Sequence, residues 1–208
     1  DFQINPEQIE LRYFGVLTKI FNVGRFASQF EFDGDLDTIP DSLENEDKWI
    51  LAEFSDLLEK AKAGYSELDI YTAAQGVKIF STGVFASHWL EMAKTRLYNE
   101  DASATWTLHR IFRDLLAILS PVCPFFTHHL STTLYEKSSV DVDIFPQSPL
   151  PNGESWTEMT ESLVEFNSIV WKAKKDEGIS LAAPISGHKV PDSLKLIEQA
   201  LISMHKLE

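Results

Sequence analysis

From Ser66 to about Asn99 the apolar residues Ile70, Ala73, Ala74, Val77, Phe80, Val84, Phe85, Leu90, Ala93 and Leu97 keep a helical spacing. A strand alternates with period two, so only a helix holds this set on one face, and the spacing predicts one long helix. A rod with a single apolar stripe cannot close a core alone; other helices must lie along it. Gly76 and Gly83 fall seven apart in the same stretch, a spacing that lets a neighbouring helix approach closely.

The neighbours are legible too. Asn5-Pro6-Glu7 combines an N-cap, a first-turn proline and an acid suited to the dipole. Tyr13, Phe14, Leu17, Ile20, Phe21, Gly24 and Ala27 then carry a first helix to about Phe30. Asn45 opens a second helix with Ile50, Leu51, Phe54, Leu57, Leu58 and Ala61 on one side, stopping at Gly64. Another starts near Ser103, carries Leu108, Ile111, Phe112, Leu115, Leu116 and Leu119, and ends at Ser120-Pro121. Short joins between them predict an antiparallel helical bundle over residues 1–137.

Beyond Pro124 the pattern changes. Phe125–Glu136 reads as a short helix, Val140–Ile144 alternates like a half-buried strand, and a proline-rich stretch follows. Trp156–Glu177 reads as a helix, Ile185–Val190 as a strand, and Pro191–His205 as a last helix. The fold class is therefore mainly α, with a small α/β C-terminal piece over 138–206. Leu207-Glu208 matches a pair left by cloning beside a tag, a candidate tag remnant, and the start at Asp1 without Met reads as an excised piece of a longer polypeptide.

Charge narrows function. The chain sums to −14, which argues against a generally basic nucleic-acid binder or a protein held to anionic lipid. Eight of its acids crowd between Glu31 and Asp47 with no base among them, predicting a solvated loop and leaving room for a basic face elsewhere. The single cysteine, Cys123, cannot form an intramolecular disulfide and suits a reducing cytoplasm; no apolar run reaches the ~18 residues of a membrane span. Glycine-rich phosphate loops, Cys-x-x-Cys, His-Glu-x-x-His and Gly-x-Ser-x-Gly are all missing, so neither a catalytic nor a cofactor site is expected. His128 and His129 are helix neighbours about 100° apart, which argues against a shared metal.

Three clusters suit RNA. Asn22, Arg25 and Phe26 stand at i, i+3 and i+4, joining an amide, a guanidinium and an aromatic plane on one helix face. The competing reading packs Phe26 into the bundle and pairs Arg25 with an acid. Lys94 and Arg96 end the long helix, where Trp89 and Tyr98 offer stacking surface, though aromatics at helical spacing also build cores. Lys172, Lys174 and Lys175 form a third cluster, suited to phosphate or simply a solvated face.

These segments resemble a known family. Phe21-Asn22-Val23-Gly24-Arg25-Phe26-Ala27 is similar to the first bundle helix of valyl-tRNA synthetases, and Asp47-Lys48-Trp49-Ile50-Leu51 to the second in the class I enzymes for valine, isoleucine and leucine. His88 to Tyr98 resembles their long-helix motif, Leu115 to Phe125 their Leu-x-x-Leu-x-Pro-x-x-Pro helix end, and Trp171 to Ile185 a later valyl-enzyme segment. The look is of archaeal-type enzymes. The resemblance implies a region that grips the anticodon stem-loop of tRNA(Val), within a cytoplasmic, monomeric parent that joins valine to tRNA using ATP and Mg²⁺.

Neither His-Ile-Gly-His nor Lys-Met-Ser-Lys-Ser occurs, so this piece is expected to bind tRNA, not DNA or membrane, without aminoacylating. The expected RNA contacts are Asn22, Arg25, Phe26, Trp89, Lys94, Arg96, Lys172 and Lys175, and the resemblance implies that Phe26 stacks on an anticodon base. Gln8 replaces an arginine of some relatives, and Thr127-His128-His129 replaces Thr-Glu-Glu. An isoleucyl enzyme is the alternative within the family, a helical protein-interaction scaffold the alternative outside it, and a helical metalloenzyme the last.

Overall fold

A computed structural model describes residues 14–135, 145–150 and 155–208. The expected helix start at Asn5-Pro6-Glu7 and the alternation at Val140–Ile144 lie outside them. Helix α1 spans Gly15–Ala27, α2 Asn45–Ser66, α3 Ile70–Ile79, α4 Leu90–Tyr98, α5 Ala102–Leu119, α6 Pro124–Tyr135, α7 Thr160–Asp176 and α8 Glu198–His205. A π-helical segment, Phe80–Trp89, joins α3 to α4, and 3-10 turns Ser155–Met159 and Asp192–Ile197 precede α7 and α8.

The long rod therefore forms, with two differences from the expected helix. It starts at Ile70, because Leu68 takes a left-handed φ of 60° and the Asp69 side chain accepts from Thr72 N at 3.0 Å. Its middle is wound more widely, with bonds to i+5. Phe80, Phe85 and Trp89 sit five and four apart and stack in a ladder, with centroids 5.8 Å and 5.4 Å apart, and Phe54 of α2 adjoins Phe80 at 5.3 Å. Gly76 serves close approach, since a Cβ there would lie 2.9 Å from Leu57 Cδ1, whereas Gly83 faces open space.

Contacts at the helix ends give the order of the bundle. Asp47 at the start of α2 meets Trp89 and Arg96 late in the rod, while Tyr65 near its end donates to Ile118 O in α5 at 2.6 Å. Successive members (α1, α2, the rod, α5, α6) thus alternate in direction, as expected of an antiparallel bundle. The Asp101 carboxylate caps α5 by accepting from Ala104 N at 2.8 Å. Trp49, Phe54, Phe85, Trp89, Trp106 and Phe112 are fully buried between these helices.

The strand expected at Ile185–Val190 is not formed among the described residues. Among the described residues the only β pairing is a single parallel bridge, Ile185 to Leu207, and Gly187 with φ 82° turns the chain two residues later. Leu207 and Glu208 take part, with Glu208 N donating to Ile185 O at 3.1 Å. Instead α7 and α8 lean on the bundle: Trp49 Nε1 donates to Thr160 Oγ1 and Asn45 Nδ2 to Leu196 O, both at 2.8 Å.

One buried polar chain ties these parts together. Asn167 Nδ2 donates to His88 Nδ1, and His205 Nε2 donates to Asn167 Oδ1, each at 2.8 Å. An amide nitrogen only donates and its oxygen only accepts, so this arrangement requires an unprotonated His88 Nδ1 and a protonated His205 Nε2. His205 Nδ1 is buried without a partner among the described residues. Burial, then the nearby Lys174, His188 and His88, push the His205 pKa down to about 4, and burial with Lys19 lowers that of His88.

Candidate nucleic-acid interface

Helix α1 lies on the bundle through Ile20, Val23, Gly24 and Ala27, all buried. Gly24 permits this: a Cβ there would stand 3.0 Å from Phe112 Cζ. Burying that face turns Asn22 and Arg25 to solvent. Phe26 points sideways along the rod and is half-buried. Its ring meets Phe30 at 4.9 Å and Tyr98 at 6.1 Å, and Phe30 meets Tyr98 at 5.4 Å, all edge-on. Tyr98 keeps 63% of its surface exposed, so the three rings form a platform that reaches solvent.

The packing reading of this cluster holds only in part. Phe26 packs against other rings, yet among the described residues nothing pairs with the Arg25 guanidinium. An open guanidinium and an amide beside a ring platform match the needs of single-stranded RNA, where bases stack and cations hold phosphates.

Two expected contacts are corrected. Trp89 is fully buried, stacked on Phe85, and donates from Nε1 to Asp47 Oδ1 at 3.1 Å, so it offers no face to a base. Arg96 is also committed internally. Its Nη2 meets Asp47 Oδ2 at 2.7 Å and Asp101 Oδ1 at 3.0 Å, and its Nη1 meets Glu46 Oε1 at 3.0 Å. Burial opposes the charge, but Asp47 first, then Asp101 and Glu46, hold the guanidinium more firmly protonated than free arginine. Lys94 stays at the surface, half-exposed, bonded to Glu91 at 2.6 Å.

The acidic stretch forms a loop with Glu31, Asp33, Asp35, Asp37, Asp41 and Glu44 exposed, but its last two acids, at the start of α2, are a correction to the solvated reading. Asp47 is fully buried and Glu46 nearly so. Asp37 binds Arg113 Nη2 at 2.7 Å, while buried Arg110 donates to Asp114, Leu36 O and Gln147 O and so pins the loop to α5. Glu46, Asp47 and Asp37 thus pair with Arg96 and Arg113, while Glu31, Asp33, Asp35, Asp41 and Glu44 stay exposed.

Lys172 and Lys175 are exposed on the last turns of α7, around a hollow bordered by Trp171, Ile179 and Leu181. Lys174 between them points inward, donating to Leu181 O and His205 O at 2.7 Å, and burial lowers its pKa. Trp171 stacks on His88 at 5.4 Å, so this hollow adjoins the rod that α1 also follows. The spacing argument does not single out Phe30 or Lys19 for this face, although Phe26–Phe30 stand at i, i+4 and Lys19–Asn22–Phe26 at i, i+3, i+7.

Known proteins are similar to this chain. Residues 47–189 match the family model described as the anticodon-binding domain of tRNA ligase. A valine–tRNA ligase of Aeropyrum pernix is 34% identical over 203 residues, covering 91% of this chain and 24% of that protein. One from Saccharolobus solfataricus is 31% identical, covering 82% of this chain and 20% of its own length. One from Nanoarchaeum equitans is 28% identical over 211 residues, covering 100% of this chain and 26% of its own. The chain thus spans about a quarter or less of the length of these relatives.

Proposed function

Because the chain belongs to the anticodon-binding domain family of tRNA ligases, we propose that it is this region of a valine–tRNA ligase and seats the anticodon stem-loop of tRNA(Val). The observation that carries this reading is the open Arg25 guanidinium beside the Phe26–Phe30–Tyr98 platform. Asn22 supplies an amide for a base edge, Lys94 a surface cation on the flank, and Lys172 and Lys175 a second phosphate contact across the rod. In this reading the chain binds RNA rather than DNA or membrane. The longer enzyme, a cytoplasmic monomer, joins valine to tRNA with ATP and Mg²⁺ at a site outside it. No helix among the described residues is long and apolar enough to cross a membrane.

The test is a titration of stem-loop RNAs carrying valine and isoleucine anticodons at rising salt. Released counterions make phosphate-driven binding weaken as salt increases. The reading predicts that weakening together with a preference for the valine stem-loop. Salt-insensitive binding, or equal affinity for duplex DNA, contradicts it.

A further inference from the structure

Most cations near α1 are already taken. Arg96 is held by carboxylates, Lys94 by Glu91, and Lys174 is fully buried. Lys19 differs. Half-buried between α1 and the π-helical segment, its Nζ donates to Thr82 O at 2.7 Å and Ser87 Oγ at 2.8 Å, both neutral acceptors. The wide turn brings these two groups together, and Ser87 Oγ donates to Thr82 O at 2.6 Å. Glu91 acts on Lys19 only through its charge, offsetting part of the burial that lowers the Lys19 pKa, and its carboxylate is bonded to Lys94. An ammonium has three N–H donors, and two are placed here, which leaves one donor and a charge that no carboxylate among the described residues touches.

Position gives this charge a purpose. Lys19, Asn22 and Phe26 share one face of α1, with Lys19 about 10 Å along the axis from Phe26. Tyr98 and Phe30 continue the line beyond Phe26. We infer that Lys19 is a phosphate-contacting cation of the RNA site, preset by Thr82 O and Ser87 Oγ, and that the strand follows α1 from Lys19 past Asn22 to the ring platform. This rests on the RNA-binding reading above. Holding the ammonium in place before RNA arrives reduces the ordering cost of a flexible side chain.

The slope of log affinity against log salt tests it, because that slope counts neutralised phosphates at about 0.7 per contact on a single strand. Lys19→Gln is expected to lower the slope by about that amount, Lys19→Arg to keep it, and Ser87→Ala to weaken binding with the slope unchanged. A Lys19→Gln slope equal to the parent's overturns the assignment while leaving the RNA-binding reading intact; a parent without salt-dependent RNA binding removes that reading first. Should Lys19→Gln not fold, reductive methylation of the unaltered protein decides: Lys19 is expected to be protected by saturating stem-loop RNA, and equal labelling with and without RNA overturns the proposal.

Discussion

Acid should loosen the C-terminal helices through His205. Its ring is fully buried, its Nε2–H is used on Asn167, and a proton added at Nδ1 meets no acceptor among the described residues, with Lys174 nearby. The folded pKa of about 4 lies below the ordinary 6.5, so between these values the unfolded chain takes up a proton that the folded chain refuses. The stabilisation is complete above pH 6.5, falls as pH drops, and is gone below about 4; the interval corresponds to about 3 kcal/mol. His88 and His109 are depressed by burial and act in the same sense, while Glu46 and Glu53, raised by burial, act in the opposite one. Comparison with His205→Gln isolates the one ring, since the amide can still donate to Asn167 but does not titrate. Urea unfolding at pH 7.5 and 4.5 should show the parent losing about 2–3 kcal/mol more than the variant. Equal losses would refute the reasoning.

Asp47→Ala should destabilise by about 1–3 kcal/mol by denaturant unfolding, because it leaves the buried Trp89 Nε1 without its acceptor, removes that of Ser103, and leaves half-buried Arg96 only Glu46 and Asp101. Gly24→Ala should destabilise by about 1–3 kcal/mol, since the new methyl meets the Phe112 ring, partly offset by a helix-propensity gain of up to ~1 kcal/mol. Gly76→Ala should cost less than Gly24→Ala, because it meets only the terminal methyl of Leu57, which can rotate away. Thermal or urea melts of the pair check that order.

Apolar periodicity makes the bundle legible from sequence. The spacing that draws α2, the rod and α5 reflects burial on one face, and burial follows once neighbours exist. The π winding is harder to read: Phe80–Phe85–Trp89 carries five-and-four spacing, but Val84 beside Phe85 lets an α-helix satisfy the same stretch. Long-range pairing is harder still. Nothing local tells Asp47 that Arg96 lies opposite, so a residue at the edge of an acidic run reads as solvated while the fold buries it. The same gap makes Arg96 and Trp89 look like RNA contacts from their motif, whereas Trp89 is core and half-buried Arg96 is held by carboxylates. Asn22 stays with Arg25 and Phe26 because their relation is set within one helix, by the i, i+3 and i+4 spacing on α1.

The most direct measurement is the affinity of Phe26→Ala for the anticodon stem-loop, taken on protein whose circular dichroism matches the parent. A ring that stacks on a base predicts a loss of about 1–3 kcal/mol in binding. Unchanged affinity in a folded variant would contradict the ring platform as the place where RNA is held.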